Sequence, residues 1–392
     1  MITFHTPLLI SNDGPPLRDA RISTTDQGRV ISVSRGERRE GDIDAGGIII
    51  PGFVNSHAHL ELSHLKGMIP PGCGMSGFIR ALFAARFTRE TGDRLKDMES
   101  ADRLMWNEGI VAVGDISNEG VSSVVKAKSR IHYHTFIEVT GLTAAKAEGI
   151  VQNAASLLPP FVNPGRSSAS LTLHAPYSFT TGLLEQCLLH VTAGQPLSVH
   201  MQESEDELQF FSSGDGPLAQ VFRELGIPTG DFIPHRGRRP LLTLLPYFPR
   251  TNRLQLVHNT FTTEAEIEVA SSLHPQLYWC LCPGANRYIT GRIPDVEALL
   301  RQNVRITIGT DSLASNVSLS VLDELKLLSL SFPAVSFVEL ISWATANGAA
   351  FLGIENVVGS IRPGLTPGLL SLTGVDPENP VFNKETKLRR LC

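Results

Sequence analysis

Residues 51–67 read PGFVNSHAHLELSHLKG. An apolar run ends here in two histidines one residue apart, His57 and His59, and His64 follows. In an extended strand, residues two apart face the same side, so both imidazoles of H-x-H can project from one strand end. That arrangement suits a metal pair. It also suits two structural histidines with ordinary hydrogen bonds. The residues that decide between these readings lie elsewhere in the chain.

Outward from this stretch, seven more short apolar runs end in polar residues. They are IVAVGDIS (110–117), IHYHTFIEVTG (131–141), SASLTLHAPYS (168–178), PLSVHMQES (196–204), RLQLVHNTF (253–261), QLYWCLCPGAN (276–286) and VRITIGTDSLAS (304–315). Segments of helical character separate most of them, such as RLKDMESADRLMWNEG (94–109) and LLEQCLLHVTAG (183–194), and VLDELKLLSLS (321–331) follows the last. Strand then helix, eight times, predicts an α/β fold of the (β/α)8 TIM-barrel type over 51–349. The two ends differ. ITFHTPLLIS, ARISTT and GRVISVSRG near the start, and GSIRPGLTPGLLSLTGV and TKLRRLC near the finish, are β-like runs between Gly and Pro turns. They predict a small β-sandwich domain built from 1–50 and 350–392 together.

The bulk properties narrow the partners. Apolar residues make up 42% of the 392 and charged residues 19%, enough for a large core. The net charge of −5, with no long basic run, speaks against nucleic acid or an acidic membrane surface as partner. No stretch of about 18 apolar residues occurs, and the first residues lack the basic and apolar regions of a signal peptide. Five scattered cysteines, with C-x-C at Cys280 and Cys282, read as reduced thiols in a cytoplasmic protein.

In a barrel the active site lies at the C-terminal ends of the strands. Run one ends there in His57 and His59, run five in His200 with Glu203 three residues on, run six in His258 and run eight in Asp311. Imidazoles and a carboxylate suit a divalent ion, Zn²⁺ or Fe²⁺. His57, His59, His200 and Asp311 are the ligand candidates. Such an ion lowers the pKa of a bound water from about 15.7 to about 7. Glu203 is then the candidate proton carrier, a role worth roughly 10²–10⁴-fold. His258 is placed to orient the nucleophile or stabilise developing negative charge, and Asp311 can accept a proton.

PGFVNSHAHLE, SVHMQES, LVHNTF, CPGANRY and GTDSLASN together resemble the amidohydrolase superfamily, in its branch of cytosine-, guanine- and adenosine-type deaminases and triazine chlorohydrolases. HAHLELSHLKG and CPGANRYITG resemble, more loosely, bacterial aminodeoxyfutalosine deaminases. The resemblance covers nearly the whole chain. It implies one metal ion, zinc before iron, held by His57, His59, His200 and Asp311, with Glu203 as proton shuttle. Binuclear members bridge two ions with a lysine on the fourth strand, and run four carries His174 there instead. It also implies a small-molecule substrate, contacts from His174 and Tyr177 in the H-x-P-Y-S setting, and a homodimer as the ordinary state.

Deamination of an amino-heterocycle or nucleoside-like compound is the leading expectation. Chlorohydrolysis or cyclic-amide hydrolysis at the same site is the first alternative. A metal-binding homologue without catalysis is the second, and Glu203 speaks against it, since a structural metal site needs no proton carrier. Glu61 reads either as a substrate contact or as a hydrogen-bonded loop acid. His64 reads as a non-ligand. The loop LKGMIPPGCGMSGFIRALFAAR (65–86) is either a lid or a subunit contact. Glu138 can face the mouth or bond structurally, Cys282 is expected buried, and Asn286 is expected to brace the loop beside the metal. HRGRRP (235–240) reads as a solvated loop before an anion site.

Overall fold

The computed structural model describes residues 1–392. Eight parallel strands carry the middle of the chain: β1 Phe53–Ala58, β2 Ile110–Ser117, β3 His132–Val139, β4 Ser167–Leu173, β5 Pro196–Met201, β6 Arg253–His258, β7 Leu277–Leu281 and β8 Ile306–Ile308. Strands β1 to β4 pair in order as one four-stranded sheet, and β5 to β8 as a second. Parallel neighbours need a crossover, and the intervening helices supply it. Hydrogen bonds also link the two sheets at both edges. The amide of His200, on β5, donates to the carbonyl of His174, just past β4, at 2.8 Å. The amides of Thr310 and Asp311, just past β8, both donate to the carbonyl of His57 on β1 at 3.0 Å.

A period of two governs what each strand offers. On β5, Leu197, Val199 and Met201 join the main apolar cluster. The alternate residue His200 faces the other way. On β3, Tyr133, Ile137 and Val139 join that cluster, whereas Glu138 lines a cavity. Burial of the apolar set therefore fixes the direction of the polar one.

Both chain ends meet in one seven-stranded sheet. Ile2–Leu9 lies at its centre, antiparallel to Leu17–Thr24 and parallel to Ile43–Asp44 and Ile48–Pro51. Leu369–Thr373 pairs antiparallel with Ile48–Pro51 and with Lys387–Arg390. One set of alternate residues, Ile48, Ile50, Leu370 and Leu372, packs into the main cluster. The opposite set, Phe4, Ile22, Ile49 and Leu369, forms a cluster of its own. The helix Ala346–Leu352 runs a little past residue 349, the expected limit of the helical region, and ends where Gly353 takes the left-handed conformation (φ +73°).

Candidate active site

Four residues from three separate strand ends converge. The Nε2 atoms of His57 and His59 lie 3.1 Å apart. Asp311 Oδ1 is 3.6 Å from the first and 3.2 Å from the second. His57, His59 and His200 each place a donor atom within 4.8 Å of the others. Lone-pair donors this close repel one another unless a cation sits among them. The set fits one divalent ion with nitrogen and oxygen ligands.

The neighbours orient these donors. His200 Nδ1 lies 3.0 Å from the carbonyl of His174. A carbonyl only accepts, so Nδ1 carries the proton and Nε2 is left free to ligate. Ser315 Oγ donates to Asp311 Oδ2 at 2.6 Å, which leaves Oδ1 for the histidines. Gly309, in the GTD motif, allows the close approach of β8. A Cβ there would lie 2.8 Å from His57 Cβ and 2.9 Å from Cys282 Sγ. Cys282 is buried, as expected.

The charge states follow from burial. It pushes His59 down to about 4 and His258 down to about 3, and His200 well below its ordinary value. These imidazoles are therefore neutral near pH 7. Burial works against ionisation of Asp311, but its hydrogen bond to His57 and the neighbouring imidazoles outweigh that and hold the carboxyl below its usual range. Burial, then the charges of Asp311 and Glu207, push Glu203 well above the carboxylate range. The site thus pushes one carboxyl up and the other down, the division expected of an acid and a ligand.

Glu203 Oε1 lies 3.5 Å from His258 Nε2. Asn286 Nδ2 donates to His258 Nδ1 at 3.0 Å. An amide NH₂ cannot accept, so the neutral ring carries its proton on Nε2, facing the site. Asn286 sets a tautomer here, a sharper role than bracing a loop. Counting by twos from Leu254 and Leu256 would turn His258 outward to the main cluster. Its backbone is left-handed (φ +76°), and this redirects the ring.

Glu207 was not legible as a site residue. It accepts the amide of Gln202 at 2.8 Å and that of Glu203 at 2.9 Å, and so fixes the turn that presents Glu203. Ser204 caps the same helix and accepts the amide of Glu207 at 3.1 Å. The S-x-x-E spacing at 204–207 was the available signal. A buried ion pair, Lys126 Nζ to Asp115 at 2.6 Å, was also missed. Asp115 accepts the amide of Leu60 at 2.8 Å and anchors the segment after His59.

A cavity of about 570 Å³ opens over this centre, a size suited to a small molecule. His59, His200, Glu203, His258 and Asp311 line it, as do His174 and Tyr177. His174 Nδ1 lies 3.0 Å from Ser178 Oγ. The helix Gly74–Ala85, within the long first loop, covers the cavity with Met75, Phe78, Ile79 and Leu82. Ser76 at its start donates to Asp206, at 3.1 Å from its amide and 2.5 Å from its hydroxyl, which ties the cover to the same chain.

Glu61 does not join the cavity wall. Its carboxylate accepts from Ser117 Oγ at 2.8 Å, Ser122 Oγ at 2.9 Å and the amides of Asn118 and Glu119 at 2.9 and 3.1 Å. His64 is likewise spent on the carbonyls of Glu61 and Arg86, at 3.2 and 2.9 Å. In the basic loop, Arg239 pairs with Glu266 at 2.8 Å.

The family model described as "Amidohydrolase family" matches residues 48–387. The chain belongs to the amidohydrolase family. This amidohydrolase is 30% identical to an aminodeoxyfutalosine deaminase of a Nitratiruptor species over 325 residues, 80% of this chain and 76% of the relative. Its fold is similar to that of Helicobacter pylori aminofutalosine deaminase in complex with methylthio-coformycin, with a TM-score of 0.81 and 20% identity over 96% of this chain and 93% of that one. It is also similar to an atrazine chlorohydrolase from Arthrobacter aurescens complexed with zinc, with a TM-score of 0.74 and 18% identity over 96% and 88% of the two chains. No helix is long and apolar enough to cross a membrane.

Proposed function

We propose that this amidohydrolase is a hydrolytic deaminase of a nucleoside-like amino-heterocycle, converting a ring C–NH₂ and water to a ring carbonyl and ammonia. One observation carries the reading. Glu203, a carboxyl whose ionisation burial opposes, lies 3.5 Å from His258 and lines the same cavity as His59, His200 and Asp311. Loss of a ring amine requires proton delivery, first to the ring and then to the leaving nitrogen. A structural metal site requires none.

His57, His59, His200 and Asp311 would hold the ion, and zinc is the ion this set suits. When bound, zinc supplies water of lowered pKa at neutral pH. Glu203 gives its proton to the ring nitrogen, regains one from the attacking water, and passes it to the leaving amine. His258 Nε2–H donates to the oxygen on which negative charge grows. Asp311, held ionised, is placed to accept the remaining proton. His174 and Tyr177 line the wall where the heterocycle would lie. The 30% identical relative, named an aminodeoxyfutalosine deaminase, supports deamination as the reaction.

The same reading closes the two four-stranded sheets into a (β/α)8 barrel over 51–349, since hydrogen bonds link both pairs of edges. It assigns 1–50 and 350–392 to a small β-sandwich, in which the seven-stranded sheet folds over its own apolar cluster. A cytoplasmic location fits five free cysteines, and a homodimer is checked by light scattering.

The test is ammonia release from adenine, guanine, cytosine and adenosine-type compounds by the zinc-loaded enzyme. Glu203→Gln should retain zinc and lose about 10²–10⁴-fold or more in kcat. Turnover that survives the substitution would remove Glu203 from the mechanism. Full zinc without ammonia from any compound would remove deamination.

A further inference from the structure

The cavity wall holds one carboxylate that neither the mechanism nor a cation uses. Glu138 stands at the end of β3, and its side chain is only 5% exposed. Oε2 accepts from Asn118 Nδ2 at 2.8 Å. Oε1 is buried with no hydrogen-bond partner. No lysine or arginine pairs with it. The nearest basic group is His200 Nδ1 at 3.9 Å, and that proton is already directed at the His174 carbonyl at 3.0 Å. The other acid of the wall outside the metal centre, Glu119, is occupied by Arg94 at 2.9 and 3.2 Å. Asn118 is itself held, because its Oδ1 accepts from Arg86 Nη2 at 2.9 Å. The acceptor at Glu138 is thus rigidly presented and unsatisfied. A buried acceptor left in that state is costly, and a ligand that supplies a donor recovers the cost.

Resting on the deaminase reading above, we propose that Glu138 is a specificity-determining residue that accepts a hydrogen bond from a hydroxyl of the substrate's sugar. The chemistry of the wall favours a sugar hydroxyl as that donor. The helix Gly74–Ala85 presents Met75, Phe78, Ile79 and Leu82, which suit an apolar substituent or ring face. The side of Glu138, Asn118, Thr140 and Arg86 is polar, and Glu138 Oε1 is its unpartnered carboxylate oxygen. A free base has a flat ring for the apolar side and one ring N–H, but no hydroxyl, for the polar one. A nucleoside has both. Glu138 therefore makes the enzyme select nucleosides that carry sugar hydroxyls over those that lack them.

The experiment compares a purine ribonucleoside with its 2′,3′-dideoxy counterpart on the zinc-loaded enzyme. Both kcat/KM from ammonia release and Kd from calorimetry are measured. The wild type should prefer the ribonucleoside by about 10–100-fold, the size of one hydrogen bond to a charged acceptor. In Glu138→Leu the preference should collapse towards 1 with zinc content unchanged. A wild type with no preference overturns the proposal, and this holds even if the variant does not fold. A variant that loses zinc and keeps the preference also overturns it, because Glu138 would then act through His200. Absence of ammonia from every compound refutes deamination instead, and the binding comparison still decides the role of Glu138.

Discussion

Glu207→Gln keeps the shape of a buried side chain while removing its charge and one of its acceptors. In the native protein one carboxylate oxygen takes the amide of Gln202 and the other that of Glu203, at 2.8 and 2.9 Å. A carboxamide can accept only one of them, and its NH₂ faces the other N–H. One unsatisfied buried donor costs about 1–3 kcal/mol. A second effect depends on pH. Burial raises the Glu207 carboxyl from 4.5 to about 7. Between those values the folded protein keeps a proton that the unfolded chain has released, so native stability falls as pH rises through that window. The slope is about 1.4 kcal/mol per pH unit, or roughly 3 kcal/mol in all. Glutamine does not titrate and lacks this slope. Urea unfolding of both zinc-loaded proteins from pH 5 to 8 measures the difference, in which groups not coupled to Glu207 cancel. The variant should be the weaker protein at pH 5, and the gap should narrow by roughly 3 kcal/mol by pH 8. Its kcat should fall by about tenfold or more at unchanged zinc, because the turn that aims Glu203 is loosened. Parallel pH profiles, or a gap that widens with pH, would refute the placement of a titrating carboxyl under this turn.

Asn286→Leu removes the donor to His258 Nδ1 and frees the ring to take the other tautomer; kcat should fall by about 10–100-fold with zinc content unchanged by metal analysis. Glu61→Ala strands two amides and one hydroxyl, since Ser117 and Ser122 can still bond each other at 2.8 Å, so thermal unfolding should show a loss of several kcal/mol, about 1–3 for each group left unsatisfied, with KM unaltered; a raised KM at full stability would make Glu61 a substrate contact. Chelation should remove one equivalent of zinc and lower the melting temperature, since free zinc at about 1,000 times its Kd stabilises by roughly 4 kcal/mol; two tightly held ions would contradict the single site.

The eight strands were legible because burial on one side enforces a period of two, and apolar runs of that kind are hard to hide in a sequence. The candidate metal donors were legible for a related reason. His57, His59, His200 and Asp311 sit where such runs stop, and their spacing is set by strand geometry. Glu61 shows where this reasoning ends. It lies as close to the histidine pair in sequence as a substrate contact would, yet the 3₁₀ turn Leu60–Leu65 rotates it towards the amides that follow β2. That turn depends on contacts with residues more than fifty positions away, which no local pattern encodes. Glu207 was missed for the converse reason. Its S-x-x-E signal marks an ordinary helix start, and only the fold shows that the helix starts under Glu203.

The strained backbone explains why the supporting residues matter as much as the ligands. Left-handed conformations outside glycine occur at Gln202, His258, Asn259 and Asp311, with φ of +50°, +76°, +57° and +57°, on the ends of β5, β6 and β8. Each costs of order 1 kcal/mol or more and persists only where neighbours over-determine it. Here the neighbours can be named. Glu207 binds the amide of Gln202, Asn286 holds the ring of His258, Asn259 donates its side-chain amide to the carbonyl of Leu256 at 2.8 Å, and Ser315 holds the carboxylate of Asp311. Relaxed strands would let period two decide these directions and would turn His258 away from the centre. The strain allows an extra change of direction at each strand end, so three strands can aim at one point. Substitutions at the supporting residues should therefore disturb aim before they disturb fold, and they should register in kcat at retained zinc rather than in loss of the metal.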